Sequence, residues 1–220
     1  MKRQVRHLSD QEALQLHQEA LVIDSKQPPA TSGFLFTERM KLDLLDMDKA
    51  RYTRAQASNQ LSKIAMDEIR DSESATEQYL SLWHRSGVSV ASGTYSAGIE
   101  IERAFESATE GIAQARGYID ALQGELQLIL KAEDIETVYS SGKHGLILDF
   151  QDTLPFGTDL SKIDYFYNLG LRVVQLTYNL RNLVGDGCTE RYKTGLTYFG
   201  QTVVQKLNEM NMAVDVSHCS

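Results

Sequence analysis

Four short stretches carry the side chains that could do chemistry, and each closes an apolar run. They are Asp24-Ser-Lys26-Gln-Pro28, Asp149-Phe-Gln151-Asp152, Tyr178-Asn179 and Ser217-His218. Imidazole and carboxylate groups can ligate a metal or move protons, and a phenol can donate a hydrogen bond to a carbonyl or an oxyanion. The short motifs that would name a chemistry outright are missing. No G-x-G-x-x-G follows a strand, and there is no G-x-x-x-x-G-K-[ST], H-E-x-x-H, G-x-S-x-G or zinc-type cysteine spacing. Nucleotide binding therefore has no support, and the reading turns on what places these four stretches together.

The elements that must position them alternate. Short β-branched runs at 20–24, 87–92, 145–150, 171–177 and 212–217 read as strands. Between them apolar residues fall at helical spacing, as in Leu42, Leu45, Met47 and Ala50, and in Phe199, Val203, Val204, Leu207 and Met210. The stretch 99–131 reads as one helix, acidic early, that packs on the sheet, and His84 and Arg85 beside Trp83 stand at a helix end, where basic side chains offset the dipole. About sixty residues separate the first strand from the second, which is room for a helical insertion. Near-continuous hydrophobic strands joined by helices predict parallel strands buried on both faces, so the fold class is α/β, doubly wound or a (β/α) barrel. Polar side chains at strand ends then share one rim, where sites form in such folds.

Composition bounds the partners. A net charge of −8 leaves no basic face for nucleic acid. No apolar run nears the roughly 20 residues of a membrane span, and no asparagine lies in an N-x-Ser/Thr sequon. The basic start, Met1 to His7, is followed by Leu8-Ser-Asp-Gln-Glu rather than an apolar stretch, so no secretion signal is read. Cys188 and Cys219 are too few for a disulfide framework, and reduced thiols predict a cytoplasmic protein. The last residues follow directly on a strand, which would leave its edge uncovered. Five strands are countable where a closed barrel has eight. The expectation is one incomplete barrel domain over 1–220, with a helical segment at 1–19 and units one to five over 20–220.

From Gly170 onward the chain reads Gly170-Leu-Arg-Val-Val-Gln-Leu-Thr-Tyr-Asn179, then Asn182-Leu-Val-Gly-Asp-Gly-Cys188, Gly195-Leu-Thr-Tyr-Phe-Gly200 and Met212-Ala-Val-Asp-Val-Ser-His218. This resembles the membrane dipeptidase (renal dipeptidase) family, whose pattern runs G-[VL]-R-x-x-x-L-T-H-N-x-x-N-x-x-G-D-G-C, G-L-[ST]-x-F-G and M-x-V-D-x-S-H. The likeness is dense from residue 145 on and weaker upstream. It implies a (β/α)8 barrel of the metallo-dependent hydrolase type, about five of its eight units present here. It also implies two zinc ions at the C-terminal rim, a dipeptide substrate cleaved by metal-activated hydroxide, and, as is common for such barrels, a homodimer. Zinc suits that chemistry because its bound water has a pKa of about 7.

Carried over residue by residue, the resemblance gives an altered site. The family's D-G-H-x-D on the first strand matches Asp24-Ser-Lys26-Gln-Pro28, so Lys26 and Pro28 stand where a His and an Asp ligand belong. The bridging Glu of the third strand matches Gln151, whose neighbours Asp149 and Asp152 are read as facing away from it. Tyr178 stands at the substrate-contacting His, with Asn179 beside it as a second candidate for substrate contact. His218 matches a zinc ligand and is the one that is kept. Lys26 reads equally as an exposed lysine or as an ion pair standing in for a metal's charge. Asn179, Asn182, Asp186 and Gly187 are also the residue types that shape turns whatever their function. The leading reading is a dipeptidase-like metallohydrolase with its first metal site lost. A catalytically inactive barrel scaffold or binding protein, or a fragment of a longer dipeptidase, stands beside it.

Overall fold

The computed structural model describes residues 8–26, 35–95, 101–122 and 124–220. The order is α1 (Asp10–Glu19), β1 (Ile23–Asp24), α2 (Glu38–Lys49), α3 (Arg54–Asp71), α4 (Glu73–Ser86), β2 (Val90–Thr94), α5 (Ala104–Ala121), β3 (Leu126–Leu128), α6 (Ala132–Ser140), β4 (His144–Phe150), α7 (Ser161–Asn168), β5 (Leu171–Gln175), α8 (Tyr198–Glu209) and β6 (Ala213–Asp215). Short polar side chains start the helices by taking a free backbone N–H: Ser9 and Thr53 in capping boxes with Glu12 and Gln56, and Thr37, Ser72 and Thr197 alone. Gly87 ends α4 in the left-handed conformation, where a side chain would also strike His17.

All strand pairs are parallel, in the order β1-β2-β4-β5-β6, with β3 joined to β4 off that path. β4 is the hub. β2 lines one of its edges from Gly145 to Asp149. On the other edge β3 pairs with its first residues, 144–146, and β5 with its last, 148–150. The register shift between Leu148 and Asp149 marks the exchange. The sheet is a curled half of a (β/α)8-type barrel. The insertion between β1 and β2 is indeed helical, comprising α2, α3 and α4.

One core joins sheet and helices. Leu61, Ile64, Ala65 and Ile69 of α3, and Ala108, Ile112, Ala115 and Tyr118 of α5, fall at helical spacing and are buried together with Leu146, Leu148 and Phe150 of β4. Trp83 is fully buried, and its indole N–H donates to the Val88 carbonyl at 2.9 Å.

Two expectations are corrected. The stretch 99–131 is not one helix: α5 stops at Ala121, Gly124 turns the chain at φ +89°, and Leu126–Leu128 forms β3. Leu122, Leu126, Ile129 and Leu130 continue the helical spacing, so periodicity alone ran past the break. The described strands therefore number six, not five.

His144, at the start of β4, stacks on Trp83 with centroids 4.7 Å apart, and the His84 ring meets it edge-on at 4.6 Å. Its Nδ1 lies 3.1 Å from the Val88 carbonyl oxygen, while Nε2 is buried without a partner among the described residues. Burial, and then His84, push its pKa down to about 4 against the upward pull of Val88. The folded value lies below the unfolded one, so the unfolded chain takes up the proton first as pH falls. Stability should decline by about 2 to 3 kcal/mol between roughly pH 6.5 and pH 4 through this residue. Urea unfolding of the natural chain and a His144→Phe variant across that window isolates the effect. Equal slopes in the two would contradict it.

Candidate functional site at the strand ends

The curl of the sheet brings its two outermost strands together at the C-terminal rim. Lys26, just past β1, places its ammonium 2.5 Å from Asp149 Oδ2 at the end of β4 and 3.0 Å from Asp215 Oδ2 in β6. In a flat sheet β1 and β6 would stand roughly 19 Å apart, four strand spacings of about 4.8 Å, beyond the reach of any lysine. Ser92 of β2 donates to the same Asp149 oxygen at 3.1 Å, and Asp24 Oδ1 accepts the Lys26 backbone N–H at 3.1 Å. Burial pushes the Asp149 carboxyl up to about 6, and Lys26 and Ser92 pull against it. Burial also acts upward on Asp215, but hydrogen bonds from Ser217 and Lys26 outweigh it and hold that carboxyl below the usual range.

A second group stands on the loops after β5 and β6. The Tyr178 and His218 rings stack, with centroids 4.2 Å apart and planes at 25°. The Cys188 thiol lies 3.4 Å from His218 Nδ1 and 3.4 Å from Asn179 Oδ1. His218 has φ +60°, a left-handed conformation that costs a non-glycine residue on the order of 1 kcal/mol or more and that gathers at functional sites. All four side chains are exposed, so this group opens to solvent.

The long loop between β5 and α8 explains why this group holds its shape. Asp186 is buried; the Thr194 N–H and hydroxyl, and then Arg181 at 2.5 Å, hold its carboxyl down at about 2. Asn182 accepts from the N–H groups of Val184 and Gly185 and donates to the Leu176 carbonyl at 2.8 Å. A Cβ on Gly187 would collide with the Tyr178 carbonyl and the Asn179 backbone, and one on Gly200 with the Val184 carbonyl. Gly187 and Cys219 form an antiparallel bridge that clamps the loop beside His218.

The structure thus unites Tyr178, Asn179 and His218, and puts Lys26 in a different cluster. Gln151 lies half-buried just past β4, and Pro28 falls outside the described residues. Sequence reading turned Asp149 away from Gln151. In fact Asp149 lies two residues before Gln151, on the side from which Lys26 approaches. Strand alternation, applied with the right parity, was the signal that could have found it. Asp215, Ser92 and Cys188 were also missed; Asp215 stands in the quoted M-x-V-D-x-S-H pattern. Among the described residues no three His, Cys, Asp or Glu side chains converge to hold a metal ion. Among the described residues, the part of the rim between Asp149 and Asp215 does not fit a metal ion, because the Lys26 ammonium fills the space between the two carboxylates. A cleft of about 280 Å³ lies between α2, α3 and α4, lined by Arg39, Glu68 and Asp71, and none of the rim residues borders it.

Comparison with known proteins covers nearly all of this architecture. The family model described as membrane dipeptidase (peptidase family M19) matches residues 10–220. Dipeptidase tcpJ of Claviceps purpurea is 30% identical over 97 residues, which are 43% of this chain and 23% of that protein. The probable dipeptidase PvdM of Pseudomonas aeruginosa superposes with a TM-score of 0.66 at 17% identity, over 96% of this chain and 50% of that one. A metallo peptidase from Rhodobacter sphaeroides, solved with a phosphinate mimic of the dipeptide L-Ala-D-Ala, gives 0.60 at 15% identity over 91% and 59%. The chain therefore spans about half the length of these solved structures and less of the sequence relative. Among the described residues no helix is long and apolar enough to cross a membrane. With a family match running from residue 10 to residue 220 over a half-barrel of parallel strands, the chain belongs to the membrane dipeptidase family, peptidase family M19.

Proposed function

We propose that this chain supplies the first half of the rim of a dipeptide hydrolase that works with one metal ion instead of two. The observation that carries the reading is the stacked pair of Tyr178 and His218, which joins the family's substrate-contacting position to a family ligand position. When His218 Nδ1–H donates to Cys188 Sγ, Nε2 keeps a free lone pair, so the thiol orients the imidazole as a supporting partner of a metal ligand does. A zinc ion bound there would supply hydroxide at neutral pH. Tyr178, an exposed residue, would donate its hydroxyl hydrogen to the carbonyl oxygen of a bound dipeptide, with Asn179 beside it. A dipeptide as substrate is supported by the family and by the dipeptide mimic held by the Rhodobacter protein. Two free thiols support a cytoplasmic setting.

A second reading, a metal-free barrel that binds dipeptides without cleaving them, is favoured by the absence of three converging ligands among the described residues. Metal content and a dipeptide panel separate the two. The hydrolase reading expects about one zinc per chain, lost in His218→Ala, and release of amino acids. Dipeptide binding by calorimetry with no zinc and no release would establish the second reading instead. Failure to bind any dipeptide would remove both. Tyr178→Phe keeps the ring but deletes the donor, and in the hydrolase should lower kcat by roughly 100-fold. An unchanged kcat would take the hydroxyl out of the reaction.

A further inference from the structure

We infer that Lys26 is a built-in cation occupying the space that a divalent ion would take between Asp149 and Asp215, so that this part of the rim excludes metal. Asp149 has no exposed surface, and a carboxylate so placed needs a partner of opposite charge. That partner is a single ammonium 2.5 Å from Asp149 Oδ2 and 3.0 Å from Asp215 Oδ2. An ion bound to those oxygens would sit within about 2.0 to 2.6 Å of them, which is the volume the Lys26 head fills. The two cations cannot share it. The second Asp149 oxygen, Oδ1, is buried and has no hydrogen-bond partner among the described residues. An ammonium has three donors and makes point contacts, so it leaves such an oxygen unpaired where a larger coordination sphere would take it up. With the ammonium removed, Asp149 Oδ2 and Asp215 Oδ2 would be left around the same gap, with the unpaired Oδ1 on the same Asp149 carboxylate, an oxygen set suited to a hard divalent cation.

By the family resemblance, Lys26 is also a departure from the pattern, which has a histidine at that place. The geometry gives that departure a function: charge compensation that needs no ion and cannot be removed by a chelator. Its side chain is 30% exposed, and two of its three N–H donors go to the carboxylates. The third can meet an anionic or carbonyl group of a ligand on the rim. This inference concerns the β1, β4 and β6 ends alone and does not depend on hydrolysis or on His218.

Manganese(II) titration of the chelator-treated chain, read by the loss of the free-ion EPR signal, tests it. The natural chain should bind no manganese whose affinity depends on Asp149 or Asp215. Lys26→Met should gain about one site in the micromolar range, weakened at least 10-fold when combined with Asp149→Asn. Lys26→Arg, which keeps the charge, should stay without that site. Manganese binding to the natural chain that falls 10-fold or more in Asp215→Asn would overturn the inference. So would a folded Lys26→Met that gains no site. If Lys26→Met does not fold, the natural chain against Asp215→Asn still decides, because Asp215 is partly exposed. Any ion bound through His218 is told apart by its loss in His218→Ala, which leaves the Lys26 comparison unchanged.

Discussion

Asp149 is a carboxylate with no contact with solvent, standing at the end of the strand on which every other strand in the sheet depends. β4 carries β2 along one edge and both β3 and β5 along the other, so its last residues cannot shift without disturbing the β2 and β5 ladders. The charge at that fixed point must be answered by something brought to it. Lys26 comes from beyond the first strand, and Asp215 from the last, and only a curled sheet lets both arrive. The ion pair thus requires the curl. Parallel pairing with right-handed twist makes the curl available, and the Lys26 bridge between β1 and β6 ties the two ends of the sheet at the rim.

That dependence also orders the energetics. The apolar core beneath the rim, with Trp83, Tyr79 and Phe150 almost wholly out of water, supplies the general driving force of folding. It would be equally satisfied by any rim chemistry. The ion pair adds little net stability to such a core, since withdrawing charges from water offsets much of their attraction. Its consequence is specificity of arrangement: losing Lys26 would leave the buried Asp149 charge without its cation, which costs about 3 to 5 kcal/mol. A metal-binding rim imposes the same constraint with an ion that can leave. Here the constraint is covalently part of the chain.

Much of this was legible in the sequence, and the reasons it was or was not are physical. β-branched runs separated by helical spacing gave the parallel α/β class, because burial on both faces forces continuous apolar strands. The helical insertion was readable from length alone. β3 was not, because Leu122, Leu126, Ile129 and Leu130 satisfy a helical period equally well and only Gly124 breaks it. At the rim, the grouping of Tyr178, Asn179 and His218 followed from adjacent strand ends. The Lys26 bridge required knowing that strands far apart in the sheet order converge by curling, which periodicity does not report. Cys188 stands in the quoted G-D-G-C pattern, but the pattern does not report that the Gly187 to Cys219 bridge holds it against His218.

The densest stretch of family likeness is also the stretch with the most structural work to do. Asp186 anchors Thr194 and Arg181, Asn182 fastens Val184 and Gly185 to the end of β5, and Gly187 and Gly200 lie where a methyl group would strike backbone. Each of these residues is required by the shape of the loop, whatever reaction the rim performs. Side chains at the rim carry no such structural requirement: Lys26 stands just past β1, outside the strand pairing, and supplies the charge that Asp149 needs. A match to the loop pattern therefore reports the scaffold faithfully and the chemistry only indirectly. That is why a chain can belong plainly to a metallopeptidase family while its own rim, from β1 to β6, answers its buried carboxylate with an amine.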